Sequence, residues 1–169
     1  MCYSDAMEPS LKPDGQSGGP PRFVADAMLG RLAKWLRILG YDVEYVRVED
    51  AALIERAREA GRILLTRDTG LVRRRALPPH LFVRSDRVSE QLRQVIQAFH
   101  LTPTEPSARR CPRCNAVVEQ RTKAEVLGRV PEFVWSHQDA FWGCPACGRL
   151  YWAGSHRRRM DDTIRALIA

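Results

Sequence analysis

The chain has 169 residues, 44% of them hydrophobic, which suits one domain of ordinary size, alone or with a small appendage, and excludes wholesale disorder. Its formal charge of +7 is carried by 24 Arg and 3 Lys against 20 acidic residues, a balance that suits phosphate-bearing partners without requiring them. No apolar run approaches the roughly 18–20 residues of a membrane span, and residues 1–21 show no basic stretch leading into an apolar one. The expectation is a cytoplasmic protein with no secretory signal and no membrane partner.

Residues 1–21 hold four prolines and three glycines with almost no apolar periodicity, and read as a disordered lead-in or an over-long start. Phe23-Val24-Ala25 then predicts a strand ending at Asp26. Leu29, Leu32, Ala33, Leu36 and Leu39 recur at helical spacing, with Gly40 as the stop. A second strand is expected at Val43 to Val46, followed by a helix from Asp50 through Ile54 and Ala57 to Gly61. Ile63 to Thr66 is apolar enough to be a central strand, and it ends at Asp68. Leu81 to Val83 predicts the fourth strand, ending at Ser85 and Asp86, before a helix that carries Val88, Leu92, Val95, Ile96 and Phe99 on one side. This alternation predicts right-handed crossovers and a parallel sheet covered on both faces, over residues 22–100. Residues 101–108, with Pro103 and Pro106, read as a linker. Residues 109–169 form a second unit that holds four of the five cysteines and three of the four tryptophans.

Asp26, Asp50, Asp68 and Asp86 each follow a predicted strand, directly or after a short loop. In an open parallel sheet the carboxyl ends of the strands share one edge, where ligands bind. Carboxylates gathered there repel one another unless a cation lies between them, and Mg²⁺ or Mn²⁺ takes oxygen ligands and bridges to phosphate. Such ions activate water and neutralise charge on a phosphodiester. The other reading is helix capping, which also favours Asp at these junctions. Glu49, beside Asp50, is an alternative second ligand, since the register is open. On the metal reading, Asp26→Asn or Asp68→Asn removes cleavage and leaves the fold as stable or more so, because repulsion is relieved.

Cys111-Pro-Arg-Cys114 and Cys144-Pro-Ala-Cys147 are two CxxC pairs at zinc-ribbon spacing. Each pair points two thiolates at one ion, and four sulfurs leave no open position for water, so the zinc is expected to be structural and His137 and His156 are not needed as ligands. Arg109, Arg110, Arg113 and Arg149 flank the cysteines and offset the negative centre. Arg73-Arg74-Arg75 and Arg157-Arg158-Arg159 are the densest basic runs. Each is open to two readings, a solvated helix face or phosphate contacts. Trp135, Phe141, Trp142, Tyr151 and Trp152 suit either stacking on unpaired bases or packing around the small ribbon core, the second being favoured. His156 follows Ser155, the expected cap of a closing helix. No glycine-rich nucleotide loop and no local nucleophile–histidine pair appears.

Residues 23–42, Phe-Val-Ala-Asp-Ala-Met-Leu-Gly-Arg-Leu-Ala-Lys-Trp-Leu-Arg-Ile-Leu-Gly-Tyr-Asp, resemble the opening of the PIN-like ribonuclease family whose members carry a C-terminal zinc ribbon, the "Mut-seven C-terminal" domain. The resemblance continues through Arg62-Ile63-Leu64-Leu65-Thr66-Arg67-Asp68, both CxxC pairs, and Tyr151-Trp152-Ala153-Gly154-Ser155-His156. It implies a PIN-like α/β/α sandwich with a zinc ribbon and closing helix, and metal-dependent cleavage of RNA, single-stranded by expectation. By position Asp26, Asp50 and Asp68 correspond to the first three acidic sites; Asp86 rests on its place after the fourth strand alone. Arg67 or a neighbouring arginine is expected to stabilise the developing charge, and His156 is open to three readings: contact with the scissile phosphate from across the domain interface, helix capping, or plain surface exposure. The alternative is a non-catalytic RNA-binding module with a vestigial acidic site.

Overall fold

Phe23–Ala25 (β1), Val43–Tyr45 (β2), Ile63–Thr66 (β3) and His80–Phe82 (β4) form an all-parallel sheet in the order β2-β1-β3-β4. The computed structural model describes residues 19–102, 109–152 and 154. Every residue of β1 and β3 is buried, as their apolar runs require of strands covered on both sides. Phe23, Ala25, Ile63 and Leu65 face the helices Gly30–Ile38 (α1) and Val88–Phe99 (α3). The intervening Val24 and Leu64 face the helix Asp50–Glu59 (α2) and Leu71 on the other side. The period-2 alternation of a strand thus divides two cores between the two faces of the sheet.

Local signals end the helices where the sequence places them. Gly40 follows α1 at φ 101°, a conformation open to glycine. Gly30, where α1 begins, lies against the Tyr45 ring; a Cβ there would stand 3.1 Å from that ring. The fourth strand runs one residue earlier than expected, over His80–Phe82 in place of Leu81 to Val83. Its ladder starts where Leu64 N–H donates to the Pro79 carbonyl, at 2.9 Å, a backbone contact that apolar patterning does not encode. Val83 stays buried and donates its N–H to Thr66 O at 2.8 Å, just past the strand.

Glu119–Arg121 (β5), Phe141–Gly143 (β6) and Leu150–Trp152 (β7) form an antiparallel sheet in chain order. The one-and-a-half-turn helix Glu132–His137 (α4) lies between β5 and β6 and was not expected. None of its residues is buried and Phe133 is 72% exposed, so it carries no apolar stripe for the sequence to reveal. The lead-in as far as residue 18, residues 103–108 of the linker and residues 155–169, with the expected closing helix, lie outside the described residues. Among the described residues no helix is long and apolar enough to cross a membrane.

Candidate active site and metal centre

The strand order puts β1 and β3 side by side, with β2 outside one and β4 outside the other. The chain winds outward in opposite directions from this pair, so the carboxyl ends of β1 and β3 flank the switch point at which open α/β sheets bind ligands. Asp26 leaves β1 at that point and is only 7% exposed. Its Oδ1 accepts the Met28 N–H at 2.8 Å. Its Oδ2 accepts the Arg67 N–H at 3.0 Å and the buried Thr66 hydroxyl. The Thr66 oxygen in turn accepts the Asp68 N–H at 3.0 Å. Asp26, Thr66 and Asp68 are therefore wired into one arrangement across two strand ends.

Capping accounts for part of the acidic series. Asp26 caps the 3-10 turn Ala27–Leu29, and Asp68 Oδ1 accepts the N–H groups of Gly70 and Leu71 at 2.6 and 3.1 Å where the turn Leu71–Arg73 begins. Asp50 caps nothing: Glu49 holds the N-cap position of α2 without a side-chain bond, and Asp50 pairs with Arg74 at 2.9 Å. Asp86 is exposed, and the turn before α3 is held by Ser85, whose Oγ accepts the Arg87 N–H at 3.0 Å and donates to Glu90. The four aspartates do not gather into one metal-sized group; among the described residues the four cysteines are the single His/Cys/Asp/Glu group of three or more that could hold an ion. Mg²⁺ typically takes one or two carboxylates, with water and substrate phosphate filling its other positions. Asp26 has one lone-pair site left of about four, and Asp68 Oδ2 has no hydrogen-bond partner among the described residues, so this pair offers the right donor chemistry.

The cysteines build a second centre. Cys111, Cys114, Cys144 and Cys147 are free thiols whose sulfurs all lie within 4.8 Å of one another. The two knuckles share one backbone pattern. Asn115 N–H donates to Cys111 O and Cys111 N–H to Ala116 O, at 2.9 and 2.8 Å; Gly148 N–H donates to Cys144 O and Cys144 N–H to Arg149 O, both at 2.9 Å. The residue after each second cysteine is left-handed, Asn115 at φ 71° and Gly148 at φ 70°. Burial opposes ionisation of Cys111, but hydrogen bonds from the Tyr151 hydroxyl and the Cys114 and Arg113 amides bring its thiol down to about 6. Burial pushes Cys144 up to about 12. Four sulfurs at this spacing fit tetrahedral Zn²⁺, which would hold all four as thiolates.

The first knuckle docks on the edge of the parallel sheet. Buried Arg37 of α1 donates Nε–H to Val43 O at 2.8 Å and donates from its terminal nitrogen to Pro112 O and Arg113 O at 3.0 and 3.2 Å. Asn115 accepts the Val43 N–H at 3.0 Å and donates to Asp42 at 2.7 Å. The outward backbone groups of edge residue Val43 are thus both satisfied, which blocks strand pairing at that position. Asp42 also binds Arg62 at 2.8 Å, Arg22 at 3.5 Å and Arg110 at 3.8 Å. Burial draws the Arg37 pKa below its ordinary value, partly offset by Cys111, Cys114, Asp42 and Glu44.

The aromatic residues mostly pack. Phe141 is fully buried, Trp142 and Tyr151 lie against the cysteine core, and Trp135 donates Nε1–H to Lys123 O at 3.0 Å. Arg73 and Arg75 are exposed beside the paired Arg74, whereas His156 and Arg157, Arg158 and Arg159 lie outside the described residues. Thr66, Arg37, Asp42 and Asn115 were not singled out from sequence. For Asn115 a signal existed: it stands where the second knuckle has Gly148, and a side chain in that turn needs a task. For the others no local pattern does.

No curated protein and no solved structure matches the chain. The model of one family, the Mut7-C RNAse domain, matches residues 21–164, which takes in the parallel sheet, the switch-point aspartate and both zinc knuckles. The resemblance read at residues 23–42, 62–68, both CxxC pairs and residues 151–156 agrees with this match over most of the sequence, and the chain belongs to the Mut7-C RNAse domain family.

Proposed function

We propose that the carboxyl edge around Asp26 and Asp68 cleaves phosphodiester bonds of single-stranded RNA with Mg²⁺ or Mn²⁺, in a reducing, cytoplasmic setting. The observation that carries this reading is the Asp26 carboxylate at the sheet's switch point, fixed by the Met28 and Arg67 amides and the Thr66 hydroxyl and coupled through Thr66 to Asp68. A divalent cation bound there supplies charge neutralisation on the phosphate and a more acidic water. Asp26, with its orientation fixed in advance, and Asp68, with one free oxygen, would hold it. Asp50 and Asp86 would join as outer acidic groups, Asp50 after release from Arg74. Arg67 stands next to the site and would face charge developing on the phosphate. Residues 22–100 would carry the chemistry, and the unit from residue 109 would act as a zinc-held partner to it.

The test is cleavage of a labelled single-stranded RNA by purified protein with and without Mn²⁺. Mn²⁺-dependent cleavage that disappears in Asp26→Asn supports the reading; undiminished cleavage in that variant removes Asp26 from the reaction. A second reading, RNA binding without cleavage, is favoured by the dispersal of the carboxylates and the Asp50–Arg74 ion pair. Binding of the RNA with no cleavage under any divalent metal would establish it.

A further inference from the structure

Between α1 and the zinc knuckles lies a cleft of about 740 Å³. Seven of its sixteen lining residues are Arg or Lys, and Asp86 is its lone acid. Arg31 and Lys34 stand on α1, Arg47 follows β2, Arg67 follows β3, and Arg113 and Arg149 come from the two knuckles. Among the described residues none of these six takes part in an ion pair, whereas Arg22, Arg56, Arg62, Arg74 and Arg87 of the sheet unit do. Like charges on one concave wall repel one another and focus the field, so their convergence disfavours the empty cleft and favours an anion within it. Ala27 and Met28, directly after Asp26, line the same cleft. It therefore opens on the carboxyl edge of the sheet.

We infer that this cleft is the binding track for the phosphates of a single-stranded RNA, with α1 as one wall and the zinc ribbon as the other. The inference rests on the ribonuclease reading for the identity of the polyanion, and it assigns binding to residues outside the arginine runs 73–75 and 157–159. A space of this volume is the size of a small-molecule pocket, which suits a short stretch of single strand. The charges are spread over six positions, as suits sequence-blind contacts to a backbone. Zinc would then matter to binding because the two knuckles hold Arg113 and Arg149 across from α1.

The experiment measures anisotropy of a fluorescent oligouridine against salt, without added Mg²⁺ or Mn²⁺, so that binding is read apart from cleavage. Two double variants each remove one wall: Arg31→Gln with Lys34→Gln, and Arg113→Gln with Arg149→Gln. All four side chains are exposed, so both proteins should fold and retain zinc. Each double variant should weaken binding several-fold and flatten the log–log salt slope by about 1.4, at about 0.7 per phosphate contact on a single strand. An Arg73→Gln, Arg75→Gln protein should bind as wild type does. Wild-type affinity and slope in both wall variants would overturn the cleft, and with Mn²⁺-dependent cleavage intact the ribonuclease reading would stand without it. Loss from the α1 wall alone would overturn the role given to the ribbon. Equal affinity for a duplex probe would overturn the single-stranded assignment.

Discussion

Three donors converge on the Asp26 carboxylate, so replacing it by asparagine changes hydrogen bonding as well as charge. An amide keeps one acceptor oxygen and turns its NH₂ toward a backbone N–H on one side or the other. Asp26→Asn should therefore abolish cleavage and also lower stability by about 1 kcal/mol, read by urea denaturation, since that is the typical worth of one such bond. The repulsion argument from sequence pointed the other way; it counted charges and could not count donors. Asn115 offers a cleaner separation. Asn115→Gly keeps the left-handed turn and removes the bonds to Val43 and Asp42. Zinc content should stay at one per chain while amide exchange at Val43 accelerates, and loss of zinc from this variant would contradict the division of labour.

At the scale of elements, the two small units differ in what holds them. The parallel sheet has two apolar cores built on β1 and β3. The ribbon's buried apolar residues are few: Cys111, Val118, Val126, Phe141 and Cys144, with partly buried neighbours. With Zn²⁺ on the four sulfurs, metal binding and the ordering of three short strands on so small a core would be the same free energy. Cys114→Ser, or chelation of the zinc, should collapse protection across β5, β6 and β7 in hydrogen exchange and leave β1 and β3 protected. Equal loss in both sheets would mean that the parallel sheet depends on the ribbon.

For the molecule as a whole, basic excess is shared: residues 22–100 carry 15 basic and 10 acidic side chains, and residues 101–169 carry 11 and 7. Asp42 is where this charge is drawn together, holding Arg22 and Arg62 of the sheet unit and Arg110 and Asn115 of the ribbon. Burial alone would raise its carboxyl, but hydrogen bonds from Arg62 and Asn115 outweigh that and hold it below the ordinary 3.8. A lowered native value stabilises the fold above pH 3.8 and loses that contribution as pH falls through the native value. Asp42→Asn should thus lower stability near neutral pH by about 2 kcal/mol, the scale of a hydrogen bond to a charged group, and flatten acid unfolding. Thermal denaturation from pH 7 to pH 2 measures both; parallel curves for wild type and variant would exclude the linkage.

Much of this was determined by the sequence alone. Apolar runs at period two and stripes at helical spacing specify β1, β3, α1, α2 and α3, because burial on one or both faces leaves a local trace. Paired cysteines at fixed spacing likewise announce a metal site, since the ligands of each knuckle are neighbours in the chain. Strand order is decided elsewhere, by which strands pair, and it is the order β2-β1-β3-β4 that sets Asp26 beside Thr66, 40 residues away. Arg37 and Asn115 meet their partners across more than 70 residues, and the cleft takes its charges from both units. No window of sequence contains those contacts, because they exist only once the ribbon is docked on the sheet.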